Sequence, residues 1–279
     1  MPKTKSLFDL LLAKAKQKRR RIGITIVKTD KEILDGLEKA KDYVDVIIYG
    51  KKIEGFECVA MEPDDAKGTN IGRKIVQDFK AGKIDQFVRG QVDDFGVVDE
   101  YKKQFKIDPK ERRTGFGLMR NAYGREFFLG LVSNPEGQNL ADKIRITDVV
   151  VKWMKEDFGL EPKVAVMATC RPGSYGKDPV MSKSYDEAEG LVKHLKDQGY
   201  EAKNVHIEIE NAVTWANLII ASNGTIGNQI FRAVVYLGKG KGLAAPTIFS
   251  GHGMYEDDSR NEKDWYSHLI AASAWAAGK

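Results

Sequence analysis

Cysteine is scarce in this chain of 279 residues, where Cys58 and Cys170 are the two thiols and lie far apart. Two distant thiols do not provide the disulfide framework of a small secreted protein, nor a cysteine zinc site. A chain of this length can bury a sizeable core without such cross-links. We therefore expect a protein of a reducing compartment and predict a cytoplasmic location.

Long apolar runs are also lacking. The longest stretches, such as residues 243–249, are far shorter than the roughly 20 residues that a membrane-spanning helix needs. The apolar segment at 7–12 is short, and most of the nearby positive charge follows it, unlike the order in a secretory signal. The sequence predicts no association with a membrane.

Histidine is rare, and the four histidines are scattered along the chain: His194, His206, His252 and His268. None has the spacing of a metal-binding pair, so no metal site is predicted. No covalently bound cofactor is predicted either. A lone histidine is usually a surface or a satisfied structural residue. His252 stands out only because a glycine lies on each side of it.

Charge of one sign is not in large excess, since the net charge is +5 and much of it lies in the basic run at 14–21. Such a run could be a nucleic-acid arm, but it is more typical of the solvated end of an amphipathic helix. No RNA-binding motif with interleaved aromatic residues accompanies it. We therefore predict no nucleic-acid partner.

Segments with strand and helix patterns alternate along the chain. The β-branched run at 24–27 is followed by a capping box, with Thr29 as the predicted N-cap and Glu32 three residues later. Two further strand-like runs flank Tyr123-Gly124, which indicates a hairpin. The alternation predicts an α/β protein with a mostly parallel sheet covered on both faces by helices.

Three segments after predicted strands have the composition of anion-binding turns. Ligands of open α/β sheets bind beyond the carboxyl ends of strands, where glycines allow close approach and helix N-termini offer free N–H groups. The first segment opens a helix, and its candidate phosphate-binding residues are Asn223, Gly224, Thr225, Gly227 and Asn228. The same pattern is typical of a tight turn in which Asn223 or Thr225 caps the helix, so both interpretations stay open.

The other two turns each contain an arginine and a serine. In the turn that follows the predicted strand at 164–168, Arg171 could clamp a phosphate or carboxylate, and Ser174 could donate a hydrogen bond. In the last turn, Arg260 could hold an oxyanion and Ser259 could donate to charge that develops there. A solvated polar loop is the alternative for both turns.

The order and spacing of these segments resemble the phosphate acetyl- and butyryltransferases. That family carries a strand written roughly F-G-x-E-P-x-V-A-M-L-S, a Ser/Thr-Gly-Ser loop, an A-G-N loop, a G-P-I strand and an N-D-L-S-R motif. The matching segments here are FGLEPKVAVMA at 158–168, Gly173-Ser174, Gly227-Asn228, APTI at 245–248 and DDSR at 257–260. The length and N-terminal pattern resemble in particular its branch of methanogenesis marker proteins, which is named as a methyltransferase subunit (MtxX).

The resemblance implies a two-domain, three-layer α/β/α fold of the phosphotransacylase type, related to the isocitrate and isopropylmalate dehydrogenases. Residues 1–112 and 245–279 would form a first α/β domain, and residues 113–244 an inserted second one. The active cleft would lie between the domains, and such proteins are usually homodimers.

The resemblance also assigns roles to residues. Ser259 and Arg260 match the pair that binds phosphate and stabilises the transition state in the acyltransferases. The family's Asp, which deprotonates the thiol of coenzyme A, lies seven residues past its Ser, where this chain has Tyr266. Asp264 is near but out of register, and it completes the predicted catalytic set. A small phosphorylated substrate is expected as the partner, with coenzyme A or a related thiol as the second substrate.

The sequence leaves four functions open. The first is acyl transfer from an acyl phosphate to a thiol. The second, from the branch name, is a component of a methyltransferase system, although the chain has neither a glycine-rich S-adenosylmethionine loop after the first strand nor a D-x-H-x-x-G cobalamin motif. The third is an anion-binding protein that has lost the chemistry. The fourth is a dehydrogenase, for which Asp93 and Asp94 are weak candidate metal ligands.

Overall fold

The computed structural model describes residues 6–276, and this part of the chain forms two compact units. The first unit combines the residues up to Arg113 with those from Leu243 onward, and the second is Thr114–Gly242. Strands and helices alternate in both units, so the α/β class predicted from the sequence is confirmed. The predicted cleft between two domains stays a prediction.

The bounds of the elements are as follows. The helices are α1 (Leu7–Ala15), α2 (Lys31–Ala40), α3 (Thr69–Lys80), α4 (Asp94–Phe105), α5 (Leu140–Glu156), α6 (Pro179–Asp197), α7 (Ile209–Trp215), α8 (Gly224–Arg232) and α9 (Trp265–Trp275). The strands are β1 (Arg21–Ile26), β2 (Asp45–Gly50), β3 (Glu57–Ala60), β4 (Gln86–Val88), β5 (Thr114–Arg120), β6 (Glu126–Gly130), β7 (Lys163–Met167), β8 (Glu201–His206), β9 (Leu218–Ile220), β10 (Lys241–Ala244), β11 (Pro246–Phe249) and β12 (Gly253–Glu256). No helix within residues 6–276 is long and apolar enough to cross a bilayer.

The first unit has strands in the order β3-β2-β1-β4-β12-β11. All neighbours are parallel except β11, which runs antiparallel to β12. Helices α3 and α4 pack on one face, and α9 packs on the other with α1 and α2 outside it. Every residue of α9 is buried, because this helix lies between the sheet and two further helices.

Helix α2 begins one residue later than its capping box predicts. The N-cap is Asp30, whose Oδ1 accepts a hydrogen bond from the Ile33 N–H at 3.0 Å. Thr29, the predicted cap, instead accepts from the Lys51 ammonium at 3.0 Å. Aspartate is as good a cap as threonine, so the pattern locates the helix start but does not select between adjacent capping residues.

The glycine-rich sequence between Phe249 and Asp257 predicts a loop, but this segment is a hairpin. A tight turn with positive φ at Gly251 and Gly253 joins β11 to β12. A four-residue strand that starts with glycine has too little alternation to be recognised from its pattern. The hairpin is important because it carries the chain into the turn of Ser259 and Arg260.

The second unit has strands in the order β5-β6-β9-β7-β8. β5 and β6 form the predicted antiparallel hairpin, and β6, β9, β7 and β8 are parallel. Helices α5 and α6 pack together on this sheet, and α7 and α8 contact its strands as well. The carboxyl ends of four parallel strands therefore meet at one edge, where the turns after β6, β7 and β9 begin.

Candidate functional site

The turn that carries Ser259 and Arg260 leaves the carboxyl end of β12. Because β12 is parallel to β4, and β4 to β1, the loops after these strands emerge at one edge of the sheet of the first unit. Helix α4 begins at this same edge, capped by Asp93. Ser259 and Arg260 lie at this edge, where ligands of open α/β sheets bind in general.

Arg89 fixes the start of this turn. Its guanidinium, 7% exposed, donates to the Asp257 carboxylate, to the Asp258 carbonyl oxygen and, at 2.6 Å, to the Val92 carbonyl oxygen. Burial alone would lower the pKa of Arg89, but the Asp257 carboxylate outweighs burial and the pKa is raised. A permanently charged arginine thus joins the loop after β4 to the turn after β12. The sequence FVRG at 87–90 resembles a V-S/K-G motif of the acyltransferases only weakly, and it does not predict this role for Arg89.

Arg113 balances the charge on the other side of Asp257. Its Nη2 donates to Asp94 at 2.6 Å, and its Nη1 lies 3.2 Å from the Tyr255 hydroxyl and 3.5 Å from Asp257 Oδ2. Burial would lower the pKa of Arg113, but these neighbours outweigh it and raise that pKa. Burial would likewise raise the pKa of Asp94, yet Arg113 holds that pKa below its usual range. The Asp94 carboxylate is therefore ionised and paired with Arg113.

Ser259 lies in an ordered turn. Its N–H donates to Asp258 Oδ1 at 2.6 Å, and its carbonyl oxygen accepts from the Glu262 N–H at 2.9 Å. Its Oγ accepts from the Asn261 N–H at 3.3 Å. A hydroxyl that accepts in this way can still donate its proton to a ligand.

Arg260 directs its side chain toward solvent. The side chain is 53% exposed, and Nη1 lies 3.2 Å from Asp93 Oδ2. A guanidinium has five N–H donors, so one ion pair leaves donors for an anion. Asp93 therefore competes with an anion for Arg260 but does not saturate it.

Asp264 lies directly before α9, where its N–H donates to Glu262 Oε1 at 2.7 Å and its Oδ2 accepts from the Ser267 hydroxyl at 3.3 Å. Tyr266, at the position of the family's Asp, is 8% exposed and packs edge-to-face with Phe8. Burial raises the pKa of Tyr266 to about 12. Position 266 is thus part of the core and offers no base near neutral pH.

His268 is not the isolated histidine that its spacing suggests. It is fully buried, and its Nδ1 lies 2.7 Å from Glu256 Oε1 while its Nε2 lies 2.6 Å from Asp258 Oδ2. Burial would lower the pKa of His268, but Asp258 and Glu256 outweigh burial and raise it well above its usual value. The surface residue singled out from the sequence, His252, faces Glu111 at 3.9 Å.

In the second unit, the turn at 221–228 is held by the protein itself. Asn223 is the N-cap of α8, and its Oδ1 accepts from the Ile226 N–H at 3.0 Å. The Gly224 N–H donates to the Glu136 carbonyl oxygen at 2.9 Å. Because two of the first N–H groups of α8 are bound, the helix start offers less to an anion than the sequence pattern suggests.

The two glycines of this turn are explained by packing. A Cβ at Gly224 would lie 1.8 Å from the Ser133 carbonyl oxygen, and one at Gly227 would lie 2.0 Å from the Leu131 carbonyl oxygen. Only glycine allows α8 to approach the segment after β6 so closely. The capped-turn interpretation therefore accounts for these glycines without a ligand.

The polar side chains in the turn after β9 and in the turn after β7 differ in the contacts that they make with the rest of the protein. The side chains of Thr225 and Asn228 are exposed, and Asn228 Nδ2 donates to the Val132 carbonyl oxygen at 3.0 Å. Arg171 is on the surface, where its Nε donates to Glu208 at 2.8 Å and lowers the pKa of that carboxyl. The predicted second clamp thus already has a carboxylate partner.

Ser174 closes a 3₁₀ turn over Pro172–Ser174, and its N–H donates to the Arg171 carbonyl oxygen at 2.9 Å. β7 and β9 are parallel neighbours, so the turns that follow them leave the same sheet edge. Ser259, Arg260 and Asp264 lie together in one segment of the first unit. Their roles in binding and catalysis stay predictions.

Relatives of the chain are known, although no family model matches it. A Methanosarcina mazei protein named "Putative methyltransferase mtx subunit X" is 29% identical over 278 residues, which cover 96% of this chain and 95% of that protein. A Methanosarcina barkeri protein of the same name is 28% identical over 267 residues, covering 94% of this chain and 95% of that protein. The resemblance predicted from the sequence is confirmed.

Solved structures share the fold at low sequence identity. A phosphotransacetylase from Streptococcus pyogenes superposes with a TM-score of 0.66 at 17% identity, over 98% of each chain. A 4-hydroxythreonine-4-phosphate dehydrogenase from Klebsiella pneumoniae gives a TM-score of 0.59 at 8% identity, over 94% of this chain and 99% of that one. These matches confirm the predicted phosphotransacylase type of fold.

Proposed function

We propose that the chain is a phosphate acyltransferase-like enzyme, which binds an acyl phosphate and transfers the acyl group to a thiol such as coenzyme A. The fold that it shares with a phosphotransacetylase supports this proposal. The observation that carries it is Arg260, a half-exposed arginine beside Ser259, in a turn anchored by the buried Arg89.

The anchoring is relevant because electrostatic catalysis depends on donors that are already in place. Arg89 binds both the Asp257 side chain and the Asp258 backbone, the two residues before Ser259. Donors held in this way lose little freedom when an anion binds, and they need no reorganisation as charge develops. A mobile arginine on an unanchored loop would lack this advantage.

In the proposed reaction, Arg260 and the Ser259 hydroxyl bind the phosphoryl oxygens. The thiol sulfur forms a C–S bond with the acyl carbon, and the C–O bond to phosphate breaks. The phosphate leaves with the electron pair of that bond, and Arg260 stabilises the charge that it gains. Asp264, four residues from Arg260, is the proposed acceptor of the thiol proton. Positioning of the two substrates supplies most of the remaining rate enhancement.

The proposal is tested by mixing the protein with acetyl or butyryl phosphate and coenzyme A and following formation of the thioester. We expect Arg260→Ala to reduce turnover by at least a hundredfold, since an oxyanion donor contributes a factor of about 10²–10³. Arg125→Ala, on the exposed turn of the β5–β6 hairpin, is the matched control and should leave turnover unchanged. No turnover with a panel of acyl phosphates and thiols would refute the proposal.

A second candidate is a component of a methyltransferase system, which the names of the Methanosarcina relatives favour. It predicts binding of a methyl donor, which can be measured with tritiated S-adenosylmethionine or with methylcobalamin. Tyr266 is buried at the position of the family's base, which favours a third candidate, a protein that binds an anion without catalysing a reaction. This third candidate predicts binding without turnover. Calorimetry with phosphate, coenzyme A and coenzyme M, compared with the turnover assay, therefore distinguishes it from the other two.

We further propose that the protein is a homodimer. In α8, Gly224 and Gly227 are buried. In the π-helical turn that follows α8, Tyr236 is 40% exposed and Leu237 is 84% exposed. Neighbouring exposed apolar side chains can belong to a patch that a partner covers, whereas single ones are common on monomers. Light scattering should give a dimer for the natural chain and a monomer for Leu237→Glu, and a monomeric natural chain at micromolar concentration would contradict the proposal.

A further inference from the structure

Asp258, Glu262 and His268 form a buried cluster in the first unit. Each offers one ligand atom, and these atoms lie within 4.8 Å of one another. The residues are 7%, 8% and 0% exposed. Ionisable side chains are rarely buried this far unless they are paired or coordinate a metal ion.

Two atoms of the cluster are buried without a hydrogen-bond partner among the described residues. They are His268 Nε2 and Asp258 Oδ2. The two atoms are 2.6 Å apart, but their orientation does not satisfy the geometry of a hydrogen bond between them. Two atoms that approach each other as an ion pair, without a well-aligned hydrogen bond, also have the arrangement that two ligands of a common cation would have.

The remaining atoms of these side chains are oriented by other groups. Asp258 Oδ1 accepts from the Ser259 N–H at 2.6 Å, and Glu262 Oε1 accepts from the N–H groups of Lys263 and Asp264, each at 2.7 Å. Backbone N–H groups thus hold one oxygen of each carboxylate, which leaves the second oxygen for a ligand.

The histidine ring is oriented by a carboxylate. His268 Nδ1 bonds to Glu256 Oε1 at 2.7 Å, and Glu256 is held in turn by the Trp275 indole N–H at 2.6 Å and the Ala245 N–H at 2.5 Å. A histidine that binds a metal usually donates its other ring N–H to a carboxylate in this way. The arrangement directs Nε2 toward Asp258.

The charges of the cluster also favour a cation. Glu256, Asp258 and Glu262 are three buried carboxyl groups, and His268 is the one basic side chain that contacts them among the described residues. The nearby Arg89 binds the Asp258 carbonyl oxygen rather than its carboxylate. Three carboxyl groups with one basic neighbour are costly to bury in their ionised form. A divalent cation would compensate their negative charge.

We propose that Asp258, Glu262 and His268 bind a first-row transition-metal dication. One imidazole nitrogen with carboxylate oxygens is a ligand set suited to Zn²⁺, Mn²⁺ or Fe²⁺, and three protein ligands leave a further coordination position. Tetrahedral coordination would separate the His268 and Asp258 ligand atoms to about 3.3 Å, so binding of the ion requires these two side chains to move apart. The ion would fix the backbone that carries Ser259. This inference does not depend on the proposed transferase activity.

The test measures metal binding by the full chain without any substrate. After dialysis against a chelator, we expect calorimetry with Zn²⁺ to give one equivalent per chain, and Mn²⁺ is the second probe. Asp258→Asn and Glu262→Gln should each weaken Zn²⁺ binding by more than a hundredfold. Glu256→Gln should weaken it by about ten- to a hundredfold, the usual effect of a residue that orients a ligand.

The matched control is His194→Ala, which removes a histidine from a part-exposed pair with Asp148 at 2.9 Å in the second unit. This variant should bind Zn²⁺ as the natural chain does. Loss of binding in His194→Ala but not in Asp258→Asn would overturn the proposal, because the ion would then be on the surface. So would a folded natural chain that binds neither Zn²⁺ nor Mn²⁺.

If the carboxylate variants fail to fold, the natural chain decides the question through Co²⁺. Intense visible absorption bands of a four- or five-coordinate nitrogen and oxygen site support the proposal. A spectrum of hexaaqua Co²⁺ at one equivalent overturns it.

Discussion

Replacing Arg89 with methionine tests whether a buried ion pair fixes the turn of Ser259 and Arg260. Methionine keeps an unbranched apolar stem but removes three hydrogen bonds, to the Asp257 carboxylate, the Asp258 carbonyl oxygen and the Val92 carbonyl oxygen. The change leaves Asp257, whose side chain is 13% exposed, without its main partner.

The expected loss of stability follows from the burial of Asp257. Removing one partner of a buried ion pair costs about 3–5 kcal/mol, mostly because the remaining charge is left uncompensated. Arg113 Nη1 lies 3.5 Å from Asp257 and compensates part of that charge, so we expect about 3 kcal/mol. For a unit of this size, a loss of that magnitude lowers the melting temperature by about 6–12 °C.

Circular dichroism during heating is the assay, and Arg19→Met is the matched control. Arg19 forms an ion pair with Asp45 at 2.6 Å and donates to the carbonyl oxygens of Lys41 and Val44, but the side chains of the ion pair are about half exposed. Such a surface pair contributes at most about 1 kcal/mol, so this control should melt within about 4 °C of the natural chain. Adding Asp257→Asn to Arg89→Met should restore part of the stability, because the buried charge is removed. Melting of Arg89→Met within about 2 °C of the natural chain would refute the reasoning.

Three further predictions concern packing, charge and pH. Gly224→Ala places a methyl group 1.8 Å from a neighbouring carbonyl oxygen, and overpacking of this kind should cost about 1–3 kcal/mol in thermal melting. Asp93→Asn keeps the cap of α4 but removes the charge beside Arg260, so phosphate affinity in calorimetry should rise by up to about fivefold. The pKa of Asp94 is lowered by Arg113 against the effect of burial, so its ionised form stabilises the fold above its unfolded-state pKa of about 4. That contribution is lost as the pH falls through the lowered pKa of the folded state, and Asp94→Asn should flatten the dependence of the melting temperature below about pH 5.

Controls for these predictions are available in the chain. Gly173→Ala adds a methyl group with no atom within 4 Å, so its melting temperature should not change, and equal effects at both glycines would contradict the packing argument. Asp186→Asn removes a carboxylate from another exposed contact and should leave phosphate affinity as it is. An Asp94→Asn variant with the same acid sensitivity as the natural chain would show that Asp94 is not a source of that sensitivity.

The site of the first unit combines two kinds of charge. Arg89 and the Asp257 carboxylate that it binds are largely buried and paired, whereas Arg260 is half exposed and forms an ion pair with Asp93. Paired buried charges stabilise geometry, and a partly free charge on the surface can bind a ligand. Changes at Arg89 and at Arg260 should therefore differ, the first in stability and the second in anion binding.

Much of the fold can be predicted from the sequence, because periodicity and capping residues act locally. The apolar stripes of α2 and α5 and the turn of the β5–β6 hairpin follow from neighbours a few residues apart. The resemblance to the phosphotransacylases rests likewise on short segments whose order can be compared without coordinates. Local patterns do not predict β12, because this strand is too short to show alternation. It forms through its pairing with β4 and β11.

Tertiary structure alone decided what the candidate site residues contact. Arg171 has a clamp-like sequence context, but folding places Glu208 against it, 37 residues along the chain. His268 has no metal-like spacing, yet helix α9 returns it to Glu256 and Asp258 and buries all three. Partners that are distant in sequence meet only when the sheet and its helices are assembled, and burial then sets their charge. The sequence therefore determined the α/β fold and the family resemblance, whereas the packing of distant segments determined which side chains remain available for chemistry.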